Sequence, residues 1–122
     1  MKDPRQPSSF LPLTPAEFHI LLALAPGELH GYGIMQEVAR RTRGEVQLVP
    51  GTLYGSIKRM LSSGLIEECE ERGGSDGDDD RRRYYQMTEL GRRVAAAEAE
   101  RLEGLVRTAR ASKILRDKTR SR

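Results

Sequence analysis

Hydroxyl and basic side chains crowd the segment Pro50-Gly-Thr-Leu-Tyr-Gly-Ser-Ile-Lys-Arg-Met-Leu61, and no acidic residue lies between Pro50 and Ile66. Such a set suits gripping and reading an anionic polymer better than making or breaking a bond. At about 100° per residue, Leu53, Ile57, Met60 and Leu61 share one side of a helix, while Thr52, Gly55, Lys58, Arg59 and Ser62 point away from it. The start of a helix offers free N–H groups and partial positive charge, so Gly51 and Thr52 are placed to hold a backbone phosphate. Tyr54 flanks the apolar stripe and is either a core aromatic or a ring whose hydroxyl reaches a phosphate. Ser56, Lys58 and Arg59 are assigned to the groove, Ser56 and Arg59 to base edges, with Arg59 best suited to a bidentate contact with guanine. Arg81, Arg82 and Arg83 form a second cationic run; it reads as a clamp on phosphates or a narrow minor groove, against the alternative of a merely solvated strand.

Other chemistries find little support. Asp76-Gly-Asp-Asp-Asp80 resembles a calcium loop only superficially, because the sixth position is Arg81 instead of glycine and the twelfth is Met87 instead of a bidentate glutamate. His19, His30 and Cys69 are too dispersed for a metal site, and no serine, cysteine or histidine has the neighbours of an activated nucleophile, so neither metal, cofactor nor catalysis is expected. A chain of 122 residues amounts to one domain with a modest core. Its net charge of +3 permits an anionic partner without requiring one. A single cysteine, an N-terminal stretch without the apolar centre of a signal peptide, and the lack of any run long enough to span a bilayer lead to the expectation of a cytoplasmic, nucleoid-associated protein with no membrane partner.

The elements that must position these groups are legible from their punctuation. After an arm expected to be flexible over residues 1–12, Thr14-Pro15-Ala16-Glu17 combines an N-cap, a first-turn proline and a capping-box glutamate. Helix one is expected to begin at Pro15, to bury Phe18, Leu21, Leu22 and Ala25, and to end at Pro26-Gly27. A second helix is expected after His30-Gly31-Tyr32-Gly33, with Ile34 and Val38 inward, fading near Thr42-Arg43-Gly44. The third carries the cationic face and stops at Gly64. Residues 65–71 and 81–87 read as two strands of a hairpin whose polar tip holds Asp76, Asp78, Asp79 and Asp80, an acidic patch that should face away from a duplex or pair with the arginines. Three helices and then a hairpin is the winged helix-turn-helix order, so the fold class is mainly α with a small β-hairpin, and the DNA-binding domain spans residues 13–87. Thr88 caps a last helix over residues 88–112. Along it Ala95, Ala99, Leu102, Val106 and Ala109, with Leu105 beside them, make a heptad-like seam for a second copy of the chain. Residues 113–122 form a basic tail.

Four of these stretches occur together in one known family. His30-Gly-Tyr-Gly-Ile34, Val49-Pro-Gly-Thr-Leu-Tyr54, Gly64-Leu-Ile66 and Arg83-Tyr-Tyr-Gln-Met-Thr-Glu-Leu-Gly91, in that order, resemble the PadR family of bacterial transcriptional regulators, and the short C-terminal part resembles its subfamily with a single terminal helix. The resemblance implies a homodimeric, usually repressing regulator that binds double-stranded DNA at an inverted repeat and releases it on binding a small effector. It also implies a phosphate contact for Tyr32. Family members often take flat aromatic ligands at the dimer interface, some of them with tryptophan; this chain has none, and no polar constellation names a ligand. Two alternatives share the fold: a protein-interaction adaptor, which would need apolar anchors in place of Lys58 and Arg59, and a redox- or metal-sensing repressor, whose only support is Cys69.

Overall fold

The computed structural model describes residues 6–69 and 83–116. The acidic tip, Arg81, Arg82 and the end of the basic tail lie outside the described residues. The chain forms a winged helix-turn-helix built around α1 (Pro15–Leu24), against which α2 (Gly31–Arg41), α3 (Pro50–Ser63), α4 (Glu89–Ala111) and one strand all pack. The capping box at its start is complete: Thr14 Oγ1 accepts the Glu17 N–H at 3.1 Å, and Glu17 Oε1 accepts the Thr14 N–H at 3.0 Å. Ile20, Leu21, Ala23 and Leu24 are buried, whereas Leu22 is 38% exposed and Ala25 is exposed as well, which corrects the expected face. The run Ile20 to Ala25 is apolar on every side, so periodicity could not choose a direction; packing on several flanks did. At the other end Arg41 and Arg92, from α2 and α4, donate to the Leu22 and Ala25 carbonyls at 3.2 and 3.3 Å, the Leu22 carbonyl also accepting the Ala25 N–H, and so tie the last turn of α1 to two other helices.

Helix α2 starts inside the His-Gly-Tyr-Gly motif rather than after it. His30 is its N-cap, its Nδ1 accepting the Gly33 N–H at 2.9 Å, and Gly31, Ile34 and Val38 are buried. Just before it, Leu29–His30 make a strand, β1, too short to show a period in sequence. With β2 (Ile66–Cys69) and β3 (Tyr84–Met87) it forms an antiparallel sheet in the order β1-β3-β2, so the expected hairpin is completed by a third strand. The register sets His30, Tyr84 and Cys69 in one row across the sheet, with the His30 and Tyr84 rings edge to face at 5.3 Å.

Gly64, at φ 83°, ends α3, and the Leu65 N–H returns to the Met60 carbonyl at 2.9 Å. This turn is bolted to α4 through Thr88: its backbone N–H meets the Leu65 carbonyl at 3.1 Å, while its Oγ1 donates to the Gly64 carbonyl at 2.6 Å and accepts the Gly91 N–H at 2.9 Å. Gly91 packs so closely that a Cβ there would overlap the Leu65 carbonyl oxygen.

Two expectations about the ends change. Pro7–Phe10 form a 3-10 turn seated on α4, with Phe10 and Leu11 partly buried and Leu13 buried, so the segment is not a free arm through residue 12. Three apolar side chains can dock there, which the count of prolines and serines around them concealed. The α4 seam is also divided. Ala95 packs on the core, Leu102 and Ala109 are half-buried, Ala99 is exposed, and Leu105 and Val106 stand 53% and 39% exposed. Glu98, buried in the same helix, is held by Arg101 at 2.8 and 2.9 Å and by the Leu13 N–H, contacts that keep its carboxyl below the usual range against the opposing cost of burial. Among the described residues no helix is long and apolar enough to cross a membrane.

Candidate nucleic-acid interface

Helix α3 buries Leu53, Ile57 and Met60 and exposes Gly51, Thr52, Tyr54, Lys58, Arg59 and Ser62. Pro50 occupies its first turn, where a missing N–H costs nothing, and Val49 offers no capping side chain, so the other first-turn donors have no acceptor within the helix. Gly51 has open space around it, which allows close approach of another backbone.

Ser56 departs from its expected place. It is fully buried instead of facing outward, and its Oγ accepts Arg59 Nη2 at 3.2 Å. It lies roughly 40° from Met60 around the helix, inside the buried arc, and the width of that arc depends on how the neighbouring elements pack and not on α3's own sequence. A base contact by Ser56 is therefore withdrawn. Arg59 stays on the surface, its Nε donating to Glu17 Oε2 at 3.4 Å.

Tyr54 and Tyr32 are 50% and 60% exposed, so neither is a core aromatic. They line one open cleft of about 550 Å³ with His30, Gly31, Gln36, Arg83 and Tyr85, between the head of α2, the first turn of α3 and β3. The Tyr54 hydroxyl lies directly over Gly31, where any Cβ would overlap it. This close approach requires a glycine at that position, and the Gly-Tyr spacing could not show it. Burial, and then the Glu68 carboxylate, push the Tyr85 phenol above its ordinary range, so it remains a neutral hydroxyl at physiological pH. Arg83 pairs with Glu68 at 3.4 Å across the hairpin with both side chains exposed. Such a pair is weak enough for a phosphate to displace. The sequence reading brought Tyr32, Tyr54 and Arg83 to the interface separately; it missed that Gly31, Gln36 and Tyr85 join them in one cleft.

Cys69 is half-buried at the end of β2 and donates to Glu28 Oε1 at 3.1 Å. Among the described residues no group of three or more His, Cys, Asp or Glu side chains converges as a metal site would require.

Residues 20–97 match the transcriptional regulator PadR-like family, a span running from α1 through the sheet into α4. The chain belongs to that family. The transcriptional regulator Rv3488 of Mycobacterium tuberculosis is 35% identical over 89 residues, which cover 73% of this chain and 77% of that one. A 37.1 kDa protein in transposon TN4556 of Streptomyces fradiae is 36% identical over 94 residues, 75% of this chain but 25% of its own length. Among solved structures, a PadR family transcription regulator from Clostridium difficile R20291 superposes with a TM-score of 0.66 at 27% identity, covering 79% of this chain and 95% of that one. Bacillus subtilis PadR in complex with operator DNA shares the fold at a TM-score of 0.56 and 21% identity, over 66% of this chain and 44% of that one.

Proposed function

We propose that this PadR-like regulator binds double-stranded DNA through α3 and the adjoining tyrosine cleft, acting as a homodimeric repressor of an inverted-repeat operator. The observation that carries the reading is the conjunction of an acid-free, exposed α3 face with a cleft that gathers Tyr32, Tyr54 and Arg83 beside it. Gly51, Thr52, Tyr32, Tyr54 and Arg83 then hold phosphates, Lys58 and Arg59 reach the groove, and Arg81 and Arg82, next to Arg83 in the chain, add positive charge for the backbone. The operator complex of Bacillus subtilis PadR supports this assignment by fold. Leu105 and Val106 on α4, with Leu102 and Ala109 beside them, are the surface offered to a second copy, and an effector bound between two such helices would meet aliphatic side chains. An adaptor role is disfavoured because the α3 face presents Lys58 and Arg59 where a protein partner would meet apolar anchors.

Genomic footprinting with the purified protein at two salt concentrations tests the proposal. A palindromic protected site and an affinity falling steeply with salt are expected; sequence-indifferent protection would reduce the protein to an architectural role, and no protection would end the reading.

A further inference from the structure

We infer that Glu17 is a positioning residue for Arg59 and thereby sets how well the protein discriminates its operator from other DNA; this rests on α3 being the recognition helix. Glu17 stands in another element, 42 residues away in the chain, and its two carboxylate oxygens do different jobs. Oε1 closes the capping box of α1 on the Thr14 N–H, while Oε2 accepts Nε of Arg59 at 3.4 Å. The capping contact fixes the carboxylate, whose side chain is 15% exposed, and the fixed carboxylate in turn orients the guanidinium of a side chain that is 58% exposed. On the same edge Nη2 donates to the buried Ser56 Oγ at 3.2 Å. Arg59 is thus gripped along one edge of its planar fork, while Nη1 lies beside Gly55, a residue with no side chain to cover it. That open edge is the one left for a bidentate contact, and holding it in place beforehand removes ordering cost from base reading.

A capping box alone needs only one oxygen, and glutamine serves it as well. A carboxylate beside a DNA-binding face repels phosphate, so its presence works against sequence-indifferent affinity. Both features favour a role in discrimination over one in overall affinity.

Glu17→Gln separates the two jobs, since the amide keeps one acceptor for the Thr14 N–H but presents a donor where Arg59 needs an oxygen. With the site recovered by footprinting and a scrambled duplex as probes, Glu17→Gln should weaken operator binding about tenfold and leave scrambled-duplex binding equal or tighter. Arg59→Lys, which keeps the charge and loses the fork, should lose at least as much discrimination. In an Arg59→Ala background the Glu17 substitution should change the ratio less than twofold. Discrimination by Glu17→Gln within twofold of wild type at an unchanged melting temperature would overturn the inference, as would an equal loss in the Arg59→Ala background. Wild-type protein that does not distinguish the two duplexes would instead overturn the DNA-reading assignment itself.

Discussion

Replacing Gly31 by alanine should separate DNA affinity from stability. The added Cβ would overlap the Tyr54 hydroxyl and stand 2.8 Å from Cζ and 3.0 Å from Cε1, where carbon atoms prefer about 3.5–4.0 Å. What yields is the far end of a half-exposed side chain, not backbone, so the ring can swing outward by roughly 1 Å at a rotamer cost of about 1 kcal/mol. The loss of glycine's freedom in the unfolded chain offsets about 0.4–1 kcal/mol of that, and the melting temperature should barely move. Binding is a different matter. A hydroxyl donating to a phosphate is a hydrogen bond to a charged group worth about 1.5–3 kcal/mol, so its displacement should weaken operator binding roughly ten- to hundredfold per protomer. Because a hydroxyl contact brings no cation to the phosphate and so releases no counterion, the slope of log affinity against log salt should stay unchanged, whereas Lys58→Ala should reduce it by about 0.9 for each phosphate released. Fluorescence anisotropy at four salt concentrations measures both. Tyr54→Phe should reproduce the loss, and Gly31→Ala should add little to it. Wild-type affinity in Gly31→Ala, or a loss accompanied by an equal loss of stability, would refute the reasoning.

At Gly91 the same substitution should act on stability instead, because its Cβ meets the Leu65 backbone carbonyl, which cannot rotate away; about 2 kcal/mol and roughly 10 °C of melting temperature should be lost, even though alanine is the better helix former by about 1 kcal/mol. If α4 joins two copies as proposed, the wild type should run as a dimer in sedimentation velocity, and glutamates at Leu105 and Val106 should yield monomers with the helical circular dichroism intact. Hydrogen bonds from Arg40 and Arg41 hold the Glu37 carboxyl at about 2, below its ordinary 4.5. A depressed carboxyl contributes stability above its unfolded value, so that contribution should vanish as pH falls from about 4.5 to about 2, an effect that Glu37→Gln should abolish in denaturant titrations across that range.

Local signals account for the elements that were legible in advance. The capping box at Thr14, the glycine stop at Gly64 and the N-cap at Thr88 act within a turn of themselves, so α1, the end of α3 and the start of α4 fall where the residues place them. The Leu53-Ile57-Met60 stripe was readable for the same reason, because one helix face repeats every three or four residues. Where a contact is shared between distant segments, that logic fails. Two-residue β1 exists only because β3 pairs with it, and the 3-10 turn of Pro7–Phe10 is held against α4. Ser56 shows the limit within the interface itself: small and polar, it suits a groove floor equally well as a place in the core.

By itself the sequence determined the order of the four helices and the β2–β3 pair, the acid-free face of α3 and the cluster of motifs that marks the family, because propensity, capping and charge are properties of neighbouring residues. Tertiary structure decided which side of α1 is buried, that Ser56 lies inside while Arg59 leans on Glu17, and that Tyr32, Tyr54, Tyr85 and Arg83 share one cleft. Those outcomes depend on how far apart α1, α2, α3 and β3 come to rest, and that spacing is set by side chains interlocking across elements distant in the chain, where no local period reaches.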